Sequence, residues 1–189
     1  MNSTKAQLNP KVERKLAKLD ANLTSLLKVL KDYSEETLNK KPGENKWSVM
    51  QVMHHLMMAE WYGQSYVQKK LSYYPELKNA GVVAVFRNFL MNTYLKFPLK
   101  VKAPAAVSGE NLPEYSSFWE TAKKWKNQRQ ELRSLMESIP PENFKKEIYK
   151  HPFAGRLTLM GLLDFYEGHF MRHRKQINKI LKKSFKIKD

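Results

Sequence analysis

The chain of 189 residues contains no cysteine, which excludes a disulfide framework, a cysteine nucleophile and any thiolate metal site. A metal ion would have to be held by His, Asp or Glu. Glycine (7) and proline (9) are sparse and gathered in a few places, which disfavours a turn-rich β fold. No run approaches the roughly 20 apolar residues that span a bilayer. The opening MNSTKAQLNPKVERKLAKLD has neither the apolar core nor the cleavage site of a secretory signal, so a cytoplasmic location is expected. Acidic residues are also few, 18 against 34 Lys and Arg, for a net charge of +16. Part of this excess is local: residues 172–189 carry eight Lys/Arg and one acid, Asp189. Such a run is read either as a solvated face ending in a basic tail over 182–189, or as a contact for nucleic acid, anionic lipid or an acidic partner. No nucleic-acid motif accompanies the charge, and Phe185 is the lone aromatic inside it, which favours the first reading.

What is present is helical in pattern. Apolar residues recur after Pro10 at Val12, Leu16, Leu19, Leu23, Leu26, Leu27 and Leu30, predicting a first long helix over 10–32. Ser34 to Trp47, with Pro42 and Gly43, reads as a connection with one short turn. Ser48 is a natural N-cap for a second long helix ending near Leu71, before Tyr73-Tyr74-Pro75. A further helix is expected over 76–97, broken near Gly81, and then a long loop from Pro98 to Pro113. A third long helix over 116–139 stops at Pro140-Pro141. After a connection with His151-Pro152 and Gly155, Thr158 caps a last helix running to about Lys183. Four long helices sharing a core make an all-α bundle in one domain, 1–189, with an extra helix between the second and third.

The histidines are where chemistry could sit. His169 and His173 are one turn apart on the last helix, on the arc that carries Leu162, Tyr166, Phe170, Ile177 and Ile180. Asp164, Glu167, Arg174 and Lys175 fall on the other side. Two imidazoles aimed into a bundle need partners for their nitrogens. They are either core histidines bonded to neighbours or ligands of one shared ion. On the second helix His55 borders the inward face, beside Ala59 and Gly63, small residues that leave room for a ligand. Its neighbour His54 is turned about 100° away, towards a more polar arc. Tyr166 is read as a proton donor at the site or a packing residue, and Gln176 as a hydrogen-bonding neighbour or an ordinary surface residue. Met50, Met53, Met57 and Met58 are read as core filler and Trp47 as a plug at the bundle end.

The segment KWSVMQVMHHLMMAEW (46–61) resembles the second-helix signature of the DinB/YfiT-like proteins, a Trp-Ser start leading to His-Leu and then an acid. HPFAGRLTLMGLLDFYEGHFMRHRKQINKIL (151–181) is similar to their last helix, His-x-x-x-His followed by Gln-Ile. The resemblance implies a four-helix bundle of up-down-down-up connectivity. It also implies one divalent ion, nickel or zinc, on three histidines, here His55, His169 and His173. It further implies a metal-dependent enzyme that activates water or a small thiol cosubstrate, either a hydrolase or a thiol S-transferase. No residue is assigned as general base. The partner expected is a small-molecule substrate, and a homodimer is compatible with the sequence. The competing reading is a non-catalytic basic module that binds nucleic acid or an acidic partner.

Overall fold

The computed structural model describes residues 8–96 and 111–186. Most of the loop expected over 98–113 and the end of the basic tail expected over 182–189 lie outside the described residues. Six α-helices are described: α1 (Pro10–Leu30), α2 (Glu35–Asn39), α3 (Val49–Ser72), α4 (Val82–Lys96), α5 (Phe118–Ser138) and α6 (Leu159–Lys186). Helix starts follow local chemistry. The Asn9 side chain accepts the Lys11 N–H ahead of Pro10. Ser48 and Gln51 form a reciprocal capping box at α3, and the Thr158 hydroxyl accepts the Gly161 N–H at α6. The one short turn expected after α1 is α2, and the extra helix is α4, which begins just after Gly81.

The direction of each long helix can be read from its core residues. Buried side chains form two apolar clusters, one around Leu16, Leu132 and Leu162, the other around Leu26, Met53 and Phe170. Helices α1 and α6 pass from the first cluster to the second, as Val12 to Leu30 and Leu159 to Leu181. Helices α3 and α5 pass from the second to the first, as Val49 to Val67 and Phe118 to Met136. Taken in chain order this is the up-down-down-up connectivity of the four-helix bundle. Between the clusters lies a buried polar layer of Glu60, Gln64, Gln128 and Arg129.

Helix α6 is the central element and packs against α1, α3 and α4. On its α1 side Asp164 and Glu167 pair with Lys15, and the Arg174 guanidinium donates to the Asn22 carbonyl and the Ser25 hydroxyl. The polar side of α6 is thus held against α1 by charge-assisted contacts. One feature departs from an all-helical expectation. The connection before α6 folds into an antiparallel hairpin, β1 (Tyr149–His151) with β2 (Gly155–Leu157), which pairs His151 with Gly155 across the turn. Gly155 has φ +75°, a backbone conformation that glycine adopts without steric cost. Among the described residues no helix is long and apolar enough to cross a membrane.

Candidate metal centre

Helices α3 and α6 bring His55, His169 and His173 together, with one ring nitrogen of each within 4.8 Å of the others. The His55 and His169 Nε2 atoms are 3.2 Å apart. Around a tetrahedral ion with metal–nitrogen distances of about 2.0–2.1 Å, ligand nitrogens stand about 3.3–3.4 Å from one another. The His55–His169 spacing therefore fits a shared ion, and His173 stands within reach of both. The three rings meet edge to face, with centroids 4.6–5.0 Å apart. His55 is buried, and His169 and His173 are half-buried.

A divalent cation requires neutral imidazoles, and the surroundings keep His169 and His173 neutral. Burial first, then the neighbouring histidines His173, His55 and His151 and the charge of Arg172, hold His169 well below the usual histidine range. Burial and the proximity of His55 and Arg172 push His173 down to about 3, although the Gln176 hydrogen bond acts in the opposite direction. The Gln176 Oε1 is 2.8 Å from His173 Nδ1. A carboxamide oxygen can only accept, so Nδ1 carries the hydrogen and the Nε2 lone pair is left for a ligand bond. Gln176 thus orients a ligand side chain.

Aromatic rings enclose the trio. Trp47, placed by the residues that lead into the α3 cap, has its ring centroid 4.9 Å from that of His55. Phe165 stacks on His169 at 5.1 Å and 15°. Phe165 also meets His151 edge to face, with ring centroids 4.6 Å apart. His151 is buried in the hairpin, and its Nδ1 accepts the N–H groups of Phe153 and Ala154. Its hydrogen is therefore on Nε2, and burial lowers its pKa to about 4. His151, read from sequence as part of the connection before the last helix, ends β1, and its ring latches the turn that follows.

His54 stays apart from the trio, as the helical rotation requires. Its Nε2 lies 3.0 Å from the Ser116 hydroxyl and 3.3 Å from that of Thr121, where α5 begins. The reading of Gly63 needs correction, and the two readings of Tyr166 are decided in favour of packing. The room beside His55 at Gly63 is not free for a ligand, because the Tyr166 hydroxyl occupies it: an added Cβ would overlap that oxygen and sit 3.1 Å from Leu162 Cδ1. Tyr166 is a packing residue rather than a proton donor at the site, since its hydroxyl donates to the Glu60 carbonyl at 2.7 Å in the core.

The acid after His55 was noted in the sequence but given no role. Glu60 is buried and receives Trp125 Nε1–H at 2.8 Å, Arg129 Nε–H at 2.7 Å and Arg129 Nη2–H at 2.6 Å. A carboxylate held by three donors on α5 ties α3 to α5 and is not available as a proton acceptor. The sequence signal was a charge on an otherwise apolar arc, together with an arginine on an apolar arc of α5. The metal-competent group contains no carboxylate.

Fold and trio together define a helical bundle with a histidine site at the contact of its second and last long helices. The DinB superfamily profile matches residues 18–177, and the chain belongs to that superfamily. It is 27% identical over 157 residues to the uncharacterized protein YuaE of Bacillus subtilis, a match covering 82% of this chain and 89% of YuaE. Its fold is similar to that of YfiT from Bacillus subtilis, described as a probable metal-dependent hydrolase with an unusual four-helix bundle topology. The TM-score is 0.63 and the identity 16%, with 95% of this chain and 91% of YfiT covered.

Proposed function

We propose that the chain, acting as one cytoplasmic domain, is a metalloenzyme whose His55, His169 and His173 hold one divalent ion, nickel or zinc. The observation that carries the reading is the convergence of three imidazoles, with one ring nitrogen of each within 4.8 Å of the others, in a partly enclosed site. When bound, such an ion supplies a Lewis acid with positions left open for water, a thiol or a carbonyl oxygen. The residues of the chain do the rest. Gln176 fixes the His173 ring, Phe165 and Trp47 shield the ligand rings from solvent, and Arg172 adds positive charge beside His169 and His173. That charge favours a substrate bearing an anionic group. His151 offers a fixed, neutral Nε2–H donor beside Phe165.

Hydrolysis is the preferred chemistry and is supported by the fold shared with YfiT; transfer of a small thiol is the alternative use of the same site. The decisive experiment is elemental analysis of protein purified without a histidine tag, followed by titration with nickel and zinc. About one ion per chain is expected, lost in His55→Ala and His169→Ala and retained in His54→Ala. Equal loss in the His54 and His55 variants would refute the ligand assignment. Full retention in all three variants would return the basic binding-module reading. With the ion in place, ester and amide substrates tested against thiol conjugation decide between the two chemistries.

A further inference from the structure

Strand β1 packs against α3 and, through His151, against Phe165 of α6, the two helices that carry the histidine trio. A series of ring contacts runs from one helix to the other. Tyr66 of α3 meets Tyr149 at 5.6 Å, Tyr149 meets His151 at 6.2 Å, His151 meets Phe165 at 4.6 Å, and Phe165 stacks on His169 at 5.1 Å. Tyr149 and His151 are both buried and Lys150 between them is exposed, so the two rings share the inward face of the strand. Each brings a donor. His151 Nδ1 is taken by the Phe153 and Ala154 N–H groups, which leaves its hydrogen on Nε2. Burial and the neighbouring Tyr66 raise Tyr149 to about 12, so its phenol keeps its proton. Among the described residues neither donor has an acceptor. The fully enclosed side-chain atoms without a partner are, among those residues, Asn22 Nδ2, Asn88 Oδ1 and Arg129 Nη1. The Tyr149 hydroxyl and His151 Nε2 are therefore open to a space that water or a ligand enters. Buried side chains normally find partners for their donors, and two left open on one strand face beside the trio are prepared for an acceptor from outside.

We propose that Tyr149 O–H and His151 Nε2–H form a clamp for a carboxylate of the substrate, an assignment that rests on the metalloenzyme reading and names the substrate class as small carboxylic acids. Two neutral donors match the two oxygens and the single negative charge of a carboxylate. A phosphate dianion calls for a guanidinium or ammonium partner, and Lys150, the cation of this strand, is on the opposite face. The chain does not fill the clamp with its own acids. On the flanking helices Glu60 is held by Trp125 and Arg129, and Asp164 and Glu167 are held by Lys15. With its carboxylate on β1, a substrate lies beside Phe165, one helical turn from His169, and its reacting group is directed at the ion.

The first probe is acetate, titrated into the metal-free full chain and followed by the imidazole nitrogen resonances of His151, which are identified by their loss in His151→Asn. Acetate should move them saturably. Tyr149→Phe, which removes one hydrogen bond to a charged acceptor, should weaken that binding about tenfold or more with the circular dichroism unchanged. His151→Asn keeps a side-chain oxygen for the turn N–H groups and removes the Nε2–H donor. In zinc-loaded protein, calorimetric titration with glutarate, which carries a second carboxylate for the ion, should show the same loss in both variants at unchanged zinc content. Zinc uptake with His151 resonances that ignore acetate overturns the clamp and leaves the metal centre standing. An acetate response that Tyr149→Phe leaves unchanged overturns it as well. An acetate response in a protein that takes up no zinc supports the clamp and removes the metalloenzyme reading instead. Should His151→Asn fail to fold, Tyr149→Phe decides alone, since it keeps both the ring and the latch of the turn.

Discussion

Replacing Gly63 with alanine probes a close approach of α3 and α6, about two turns along α3 from His55 and on the same pair of helices as the histidines. The added Cβ would overlap the Tyr166 hydroxyl and stand 3.2 Å from Tyr166 Cζ. Tyr166 is fully enclosed and donates to Glu60 O, so the ring has no free direction in which to yield. Overpacking of this kind costs about 1–3 kcal/mol. Displacing the hydroxyl from its acceptor adds about 0.5–1.5 kcal/mol. The expected loss is therefore about 2–4 kcal/mol, a drop in melting temperature of about 4–16 °C for a chain of this size. The same displacement parts α3 from α6, so His55 moves off the other two ligands and nickel or zinc affinity falls about tenfold or more. Urea unfolding and a metal titration measure the two losses. The internal control is Gly63→Ala in a Tyr166→Phe background, where the offending oxygen is absent. That pair should be about 1–2 kcal/mol more stable than the sum of the single effects. Additivity within about 0.3 kcal/mol, or a Gly63→Ala protein as stable as wild type, refutes the close approach as the cause.

Arg129→Met should cost about 3–5 kcal/mol in urea unfolding, because it strands the Glu60 carboxylate in the core, whereas joint replacement of Glu60 and Arg129 by apolar residues of similar size should recover most of that loss. Gln176→Leu should leave the fold intact and weaken metal binding about 10–100-fold in a direct titration, since His173 Nδ1–H loses its acceptor. The metal-free protein should lose stability as pH falls. His173 at about 3, His151 at about 4 and the depressed His169 stay neutral when folded, while the unfolded chain takes up protons below about 6.5. The stability these groups contribute is thus complete above that value and declines between about pH 6.5 and 4, which urea midpoints across that range would show. A flat profile would mean that the rings are not buried as described. In the presence of nickel or zinc the melting temperature should rise at pH 7.5 and the gain should shrink at pH 5.5, because protons compete for the same lone pairs.

The parts of this structure that could be read from sequence are those governed by a single local period. The i, i+4 spacing of His169 and His173 and the arc of His55 follow from helical geometry alone, and so do the caps at Ser48 and Thr158. Contacts between helices carry no such period. Gly63 looked like space for a ligand because its partner, Tyr166, is about a hundred residues away in the chain and on a different helix. Glu60 and Arg129 each break an apolar arc, but only the α3–α5 packing shows that they answer one another. The β1–β2 hairpin was hidden because three residues are too few for an alternation such as Tyr149-Lys150-His151 to stand out, and His151 stabilises the turn through backbone N–H groups that sequence does not display.

The separation of the ligands along the chain has a further consequence in time. His55 and His169 are 114 residues apart. At a synthesis rate of about 5–20 residues per second, roughly 6–23 s pass between the moment the first imidazole leaves the ribosome tunnel and the moment the second does. Throughout that interval a nascent chain offers one histidine of the trio, with the affinity of an ordinary surface imidazole. Capture of an ion on the proposed site must therefore follow translation of α6, and it joins two distant stretches of chain much as a late crosslink closes a long loop. A metal held by these three residues reports that the bundle has been completed.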